Sequence, residues 1–444
     1  MRVAVVGLGK LGAPLAAVLA SKGNDVVGID VNPDAVRFLR EGRAPVDEPG
    51  LQELVTAHRD RLDATTDLAA AGDADVTILL VPTPSDERGA FSNAHLLEAI
   101  SEIGHGLASH DRYHTVVVAS TVMPGSCERE LLPALERASG RRVGESLGLC
   151  YSPEFIALGS VIRDMLHPDM VLIGQADARS GDVLQRLYEG VCENDPPVRR
   201  MSLVNAELTK IAVNTFVTMK ISFANTLADL CERLPGADVA DVTDALGLDT
   251  RIGGKYLRGA IAYGGPCFPR DNNAFGALAR GIGTQAPLAE ATDSVNRSQT
   301  RRLADIVKAH SGDGAAVGVL GLSYKPDTGV VEESAAIALV KALRELGVDE
   351  INVFDPVATD AGSRALDADV HACRSAREVL ERSDVVVIAT PWKEFERLPL
   401  EDLGEAKRLV VIDCWRVLPN VDAGDAIEIV RLGRPLEASL AVNT

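Results

Sequence analysis

The 444-residue sequence is poor in aromatics, at 4%, and poor in positive charge: 45 lysines and arginines face 64 aspartates and glutamates, a formal charge of −19. A field of that sign opposes non-specific binding to nucleic acid or to an anionic membrane, so neither is an expected partner. A phosphate-bearing ligand must then find a local basic cluster, which is feasible because charges beyond about 8 Å are largely screened at physiological salt. No run of about 18 apolar residues occurs, and the N-terminus, MRVAVVGLGKLG, lacks both the long apolar core and the cleavage site of a signal peptide. The seven cysteines, at 127, 150, 192, 231, 267, 373 and 414, are odd in number, scattered and without a CxxC pair. Neither a disulfide framework nor a metal site is expected, and a reducing cytoplasm fits. What is present is 46% hydrophobic and 25% charged, with 39 glycines, 22 prolines and no low-complexity run. That is the composition of a folded globular chain, of two to four domains at roughly 100 to 200 residues each.

Residues 2 to 6, RVAVV, form a β-branched run that leads into Gly7-Leu8-Gly9-Lys10-Leu11-Gly12 and then into the helical pattern APLAAVLASKG. Strand, glycine turn and helix stand in the order a dinucleotide site requires. Gly7 permits the tight turn, Gly9 lets the backbone around Leu11 approach a pyrophosphate, Gly12 lets helix and strand pack closely, and the helix N-terminus attracts negative charge. A second strand, DVVGID, ends at Asp30, 18 residues after Gly12. A carboxylate there accepts from the ribose hydroxyls of NAD and repels the extra phosphate of NADP, so NAD is the expected cofactor.

Further strand-like runs, VTILLV, TVVVAS and LGLCYSP, alternate with helical stretches, so a parallel doubly wound sheet is expected over about residues 1–200. Their C-terminal ends carry Pro82-Thr83-Pro84, Ser120-Thr121-Val122-Met123-Pro124-Gly125 and Ser152-Pro153-Glu154-Phe155, where open α/β sheets bind ligands. The C-terminal third repeats the theme: AAVGVLGLSY, a helix, INVFDP, DVVVIAT and RLVVID read as a second parallel sheet. Gly321-Leu322-Ser323-Tyr324 offers one glycine, so a second NAD is not expected there. Lys325 and Arg416 follow strands of this half and read equally as phosphate contacts or as solvated charges.

Residues 201 to about 234 run without Gly or Pro and predict a helix of about 50 Å. Small and apolar residues on several of its sides (Ala206, Ala212, Val213, Val217, Ala224, Leu227) predict that more than one face is covered, consistent with a homo-oligomer. Lys210 and Asn214 lie four apart, on one face, among Ile211, Ala212, Val213 and Phe216. A cation and an amide in so apolar a setting need a partner or a function. Farther on, Gly264-Gly265-Pro266-Cys267-Phe268-Pro269-Arg270-Asp271 sets a cysteine between rigid backbone, an arginine and an aspartate, a setting that favours a nucleophilic thiolate.

These motifs resemble the UDP-glucose/GDP-mannose dehydrogenase family over nearly the whole chain. The glycine turn, STVMPGS, SPEF, ELTKIAVNTF, RIGGKYL, GGPCFPRD, GLSYKPDT and IDCWRV occur in family order and spacing. The resemblance implies two Rossmann-like doubly wound parallel-sheet domains joined by a long central helix and a helical middle domain. They are an NAD-binding domain at 1–200, a central dimerisation and catalytic domain at 201–300, and a nucleotide-sugar-binding domain at 301–444. It also implies NAD-dependent oxidation of a nucleotide sugar from C6 alcohol to carboxylate in two hydride steps, with Cys267 carrying a thiohemiacetal and then a thioester. Glu154 governs the hydrolytic water, with Thr121 and Asn214 nearby. Lys210 and Asp271 stabilise the oxyanion and position a water. Arg251 reaches the sugar of a neighbouring subunit, Phe155, Tyr256, Leu257 and Gly264 line the substrate pocket, and Lys325 and Arg416 contact the substrate.

Three departures stand out. Leu158 occupies a position where many members carry a second acid, Glu332 stands where an arginine usually reaches the cofactor pyrophosphate, and Pro266 and Arg270 replace the commoner Ser and Lys of the cysteine loop. Cys267-Phe268-Pro269 resembles the UDP-glucose branch; GDP-mannose and a UDP-N-acetylhexosamine are the alternative substrates. A two-electron hydroxyacid dehydrogenase of the 6-phosphogluconate type also pairs such a domain with Lys and Asn on a long helix, but leaves Cys267 without a role. A non-catalytic NAD or nucleotide-sugar binding protein is the reading that Leu158 and Glu332 motivate.

Overall fold

The computed structural model describes residues 1–312, 314–366, 370–403, 408–419 and 426–436. The chain divides into two compact units, Met1–Val213 and Asn214–Thr444.

The first unit is built on eight strands: β1 (Arg2–Val6), β2 (Asp25–Ile29), β3 (Leu62–Thr65), β4 (Val76–Leu79), β5 (His114–Val118), β6 (Leu147–Tyr151), β7 (Val171–Gln175) and β8 (Val198–Met201). They lie in the order β3-β2-β1-β4-β5-β6-β7-β8. The β-branched-rich runs of β1, β4 and β5, and β6, which has no β-branched residue, are buried almost end to end, as strands covered on both faces require. One hydrophobic cluster fills each face, the first around Val3, Val5 and the Gly12–Ser21 helix, the second around Ala4, Val6, Ile100 and Tyr151. The order reverses between β1 and β4, which opens the crevice at their C-terminal ends where a nucleotide binds.

The expected parallel sheet holds as far as β6, and β7 then runs antiparallel to it, pairing Tyr151 with Gly174. The connection, residues 152–170, carries one short helix, Val161–Leu166, and sets the chain down beside β6 in the opposite direction.

The second unit holds β9 (Val317–Leu320), β10 (Ile351–Phe354), β11 (His371–Ala372), β12 (Val385–Ile388), β13 (Leu409–Asp413) and β14 (Ile427–Arg431), in the order β11-β10-β9-β12-β13-β14. Every pairing in this sheet is parallel. Helices Val239–Leu248, Phe268–Gly281 and Pro287–His310 precede it. The segment after β14 is tied back to the end of the central helix: Gly433 N–H donates to Glu232 Oε1 at 2.8 Å, and Arg302 pairs with the same carboxylate. The expected C-terminal segment, 301–444, thus shares a compact unit with most of the expected middle segment, 201–300.

The central helix, Leu203–Cys231, runs 29 residues, about 43 Å, and bears Lys210 and Asn214. Ala206 and Ala224 are fully buried on it, whereas Phe216, Phe223 and Leu230, spaced by seven, are each more than half exposed. Among the described residues no helix is long and apolar enough to cross a membrane.

Candidate active site

Gly7 adopts φ +96°, and its N–H donates to Ile29 O at 2.7 Å. A Cβ on Gly7 would lie 2.3 Å from Leu80 O and one on Gly12 1.7 Å from Gly7 O, whereas a Cβ on Gly9 would meet nothing within 4 Å. The first and third glycines therefore close the turn, and the second borders open space. The Gly12–Ser21 helix has neither a side-chain cap nor an acidic residue in its first turn, so its N-terminal amides are not taken by the chain's own side chains. Asp30 Oδ2 accepts from Leu8 N–H at 2.6 Å and Oδ1 from Asn32 N–H at 2.8 Å. An uncapped helix start, a glycine beside open space and a strand-end carboxylate fit the pyrophosphate and ribose of NAD.

The loops after β4 and β5 are pinned to each other at the same edge. Thr83 Oγ1 donates to Thr121 O, and Ser120 Oγ to Val81 O, both at 2.7 Å. Beneath them Glu207, fully buried on the central helix, accepts from Gly125 N–H at 2.5 Å and Cys127 N–H at 2.8 Å. Glu48, also buried, accepts from Gly159 N–H and Val161 N–H and so fixes the segment after SPEF. Sequence reasoning misses both acids, since each partner lies 80 or more residues away; an acid in the apolar stretch of the central helix was the available signal for Glu207.

Glu154 follows β6. Although the residue as a whole is only partly buried, its carboxyl group is enclosed, and that burial pushes it up to about 7 against the opposing effects of Lys210 and the Tyr188 hydroxyl. Lys210 is itself buried, donates from Nζ to Glu154 O at 2.9 Å and lies 5.0 Å from the centre of the Phe155 ring. The structure thus brings Glu154, Phe155 and Lys210 together within the first unit. Leu158 packs with the first core cluster, where no polar contact with a cofactor is on offer.

In the second unit Cys267 is exposed at the N-cap of the Phe268–Gly281 helix, where the helix dipole favours negative charge. One turn on, Asp271 is 1% exposed; its N–H donates to Cys267 O at 2.8 Å and its Oδ2 accepts from Asn214 Nδ2 at 2.6 Å. The preceding glycines are sterically required. A Cβ on Gly264 would lie 1.9 Å from Glu333 O, and one on Gly265, at φ +82°, 2.4 Å from the Tyr324 ring. Phe268 packs edge-on against Tyr256 and Tyr263, and Tyr256 holds a left-handed backbone at φ +62° beside buried Leu257. Lys220 Nζ donates to Ile252 O and Gly253 O, which anchors the RIGGKYL loop, and Arg251 stands exposed on it, paired with Asp249.

The second sheet repeats the first turn with a different outcome. Gly321, at φ +91°, donates to Phe354 O at 2.8 Å as Gly7 does to Ile29 O. Asp355 matches Asp30 at the end of the next strand, but its Oδ2 accepts from Leu322 N–H, Ser323 N–H, Ser323 Oγ and Trp392 Nε1. Burial pushes its carboxyl up, yet the surrounding amides outweigh that and hold it below the usual carboxylate range. This acid is consumed by its own turn and is not available to a ribose. Lys325 lies beside the Tyr324 ring, and Arg416, at φ +58°, is held by Asp238 at 2.6 and 3.0 Å. Glu332 is exposed.

A dinucleotide turn at one sheet, a second nucleotide-type sheet and a helix-capping cysteine between them in sequence define a dinucleotide-dependent oxidoreductase. The NAD-binding domain of the UDP-glucose/GDP-mannose dehydrogenase family matches residues 1–192, its central domain residues 204–298 and its UDP-binding domain residues 318–420. A UDP-glucose 6-dehydrogenase of Haloferax volcanii is 37% identical over 434 residues, covering 97% of this chain and 100% of that one. A GDP-mannose 6-dehydrogenase of Pseudomonas putida is 32% identical over 416 residues, covering 90% and 93%. The solved structure of a UDP-glucose dehydrogenase from Pyrobaculum islandicum superimposes with a TM-score of 0.87 at 32% identity and covers 98% of each chain. The chain belongs to the UDP-glucose/GDP-mannose dehydrogenase family, and it is an NAD-dependent nucleotide-sugar dehydrogenase.

Proposed function

We propose that this chain oxidises UDP-glucose to UDP-glucuronate, consuming two NAD⁺ and one water and releasing two NADH and three protons. The observation that carries this reading is Cys267, a thiol exposed at a helix N-terminus with the buried Asp271 carboxylate one turn behind it. Bound NAD⁺ supplies the hydride acceptor for each oxidation, held by the Gly7–Gly12 turn, Asp30, Pro82, Thr83, Ser120 and Thr121. Cys267 Sγ attacks the C6 aldehyde to form a thiohemiacetal, which the second oxidation converts to a thioester. Lys210 and Asp271 stabilise the oxyanion. Glu154, in its ionised form, takes a proton from the water that attacks the acyl carbon, and the thiolate of Cys267 leaves; Thr121 and Asn214 orient that water. Phe155, Tyr256, Leu257 and Gly264 line the sugar site, while Lys325 and Arg416 meet the diphosphate and supply the cationic cluster that the −19 background requires.

The chain works as a homodimer in the cytoplasm. Phe216, Phe223 and Leu230 give the central helix an exposed apolar row for a second copy, the exposure of Arg251 supports its reading as the residue that reaches the neighbour's sugar, and the seven thiols suit a reducing compartment.

UDP-glucose, GDP-mannose and UDP-N-acetylhexosamines, each supplied with NAD⁺ and followed at the NADH absorbance, test the substrate. Two NADH per uronate with UDP-glucose, and a Cys267→Ser enzyme that stalls before uronate, are expected. One NADH per product acid, or full activity in Cys267→Ala, overturns the four-electron route. Sedimentation of Phe223→Glu against wild type tests the dimer.

A further inference from the structure

The region around Glu154 contains a chain of hydroxyls for which the mechanism above has no use. Leu172 O lies 2.9 Å from Ser152 Oγ, Ser152 Oγ lies 3.0 Å from Tyr188 Oη, and Tyr188 Oη lies 3.5 Å from Glu154 Oε1. We propose that Tyr188 is a positioning residue that sets the protonation of Glu154 through this relay. The inference rests on the reading of Glu154 as the base of the hydrolytic step.

The relay has two hydrogen-bonded arrangements that differ by one proton. Three contacts end on Leu172 O, which only accepts, while Ser152 and Tyr188 bring two protons. With a proton on Glu154 all three contacts are filled, running Glu154 to Tyr188, Tyr188 to Ser152 and Ser152 to Leu172 O. With Glu154 ionised the direction reverses: Ser152 donates to Tyr188, Tyr188 donates to the carboxylate, and Leu172 O gives up its side-chain donor. At 3.5 Å the contact from Tyr188 is long for a hydrogen bond, and it acts on the carboxylate as an O–H dipole whose positive end faces the charge. Tyr188 therefore steadies both forms and favours the ionised one, offsetting part of the burial that pushes the carboxyl up to about 7.

The other groups around Glu154 act on a different part of it or at a remove. Lys210 gives its hydrogen bond to the backbone oxygen of Glu154 and acts on the carboxylate through its charge. Cys192, just past the Ala178–Glu189 helix that carries Tyr188, is a thiol pushed up to about 11 by burial and by Glu154. Lys22 opposes that rise and is itself paired with Glu193 at 2.6 Å. Phe155 contributes a ring. Tyr188 thus brings a side-chain hydroxyl to the carboxylate itself.

The test is a pH profile of Tyr188→Phe, which removes the hydroxyl and keeps the ring. The acid limb of kcat is expected to move up by about one pH unit, a roughly tenfold change in proton affinity. The rate then falls several-fold at pH 7 and recovers by pH 9. The infrared carboxylate band that is absent from Glu154→Gln, titrated in wild type and in Tyr188→Phe without substrate, should show the same displacement. Ser152→Ala, which unhooks the relay at its middle, should shift it in the same direction by about half as much. An unmoved titration in both variants, or a loss of rate equal at every pH, overturns the proposal. If wild type makes no NADH from any nucleotide sugar, the functional reading fails, while the infrared shift still decides the relay.

Discussion

Asn214 Nδ2 donates to Asp271 Oδ2 at 2.6 Å, with Asp271 1% and Asn214 9% exposed. The central helix and the helix capped by Cys267 are thereby joined by a buried hydrogen bond that fixes the orientation of a carboxylate. Removing one partner strands the other, so Asp271→Ala is expected to cost about 2 kcal/mol of stability, the penalty of an unsatisfied buried amide. Asp271→Asn retains the shape and much of that stability while abolishing the charge. Urea unfolding alongside NADH production separates the two effects; equal stability of Asp271→Ala and wild type would contradict the geometry.

Glu154 has a pH signature of its own. Its folded value is raised from 4.5 to about 7 by burial, so its contribution is fully present below about pH 4.5 and is lost as pH rises through 7. Glu154→Gln is therefore expected to gain on wild type by about 2 to 3 kcal/mol between pH 5 and pH 8.5. Paired denaturant titrations at those two pH values check it, and a constant difference would show the carboxyl to be unshifted.

The glycines of the cofactor turn should respond unequally. Gly12→Ala places a Cβ 1.7 Å from Gly7 O and is expected to destabilise the first unit by several kcal/mol. Gly9→Ala meets no protein atom, so the melting temperature of the apo protein should hold while NAD affinity drops by about tenfold or more. Calorimetric titration of NAD beside a thermal melt distinguishes fold from ligand.

Asp238 accepts from Arg416 and Arg434 and caps the Val239–Leu248 helix through Ala240 N–H. Burial raises its carboxyl, but the two arginines outweigh it and hold it below the usual range. Its stability contribution is therefore present above about pH 4 and lost as pH falls through the depressed folded value. Asp238→Asn is expected to be about 2 kcal/mol less stable than wild type at pH 7, with the gap closing toward pH 2. Thermal melts across that range read it out, and a gap that persists in acid would count against the ion pairs.

Much of the site was legible because its chemistry is local. The Gly7–Gly12 turn, Asp30 at a strand end, the Lys210–Asn214 spacing and the glycine-bracketed Cys267 loop are each written within a few neighbouring residues. Tyr188, Glu207, Glu48 and Asp238 were not legible: their partners are 34, 82, 113 and 178 residues away, and only Glu207, an acid in an apolar stretch of helix, has a setting that sets it apart from surface residues. The reversal at β7 was hidden for the same reason, since a strand's direction shows only in the partner it pairs with once the sheet assembles.

The two aspartates at corresponding strand ends mark where local reading stops. Sequence alone determined that both lie at the end of a β-branched run facing a glycine turn, because β-branched residues favour strands and only glycine takes the turn's positive φ at no steric cost. The single glycine of the second turn argued against another NAD there, but it did not say what holds the Asp355 carboxylate instead. Trp392, 37 residues beyond Asp355, and Ser323, 32 before it, close on that carboxylate and hold it inside its own sheet, whereas Asp30 accepts two backbone amides at the edge of the open glycine turn. That division of labour was decided by tertiary packing, since a carboxylate's free lone pairs depend on which distant donors the fold delivers to it.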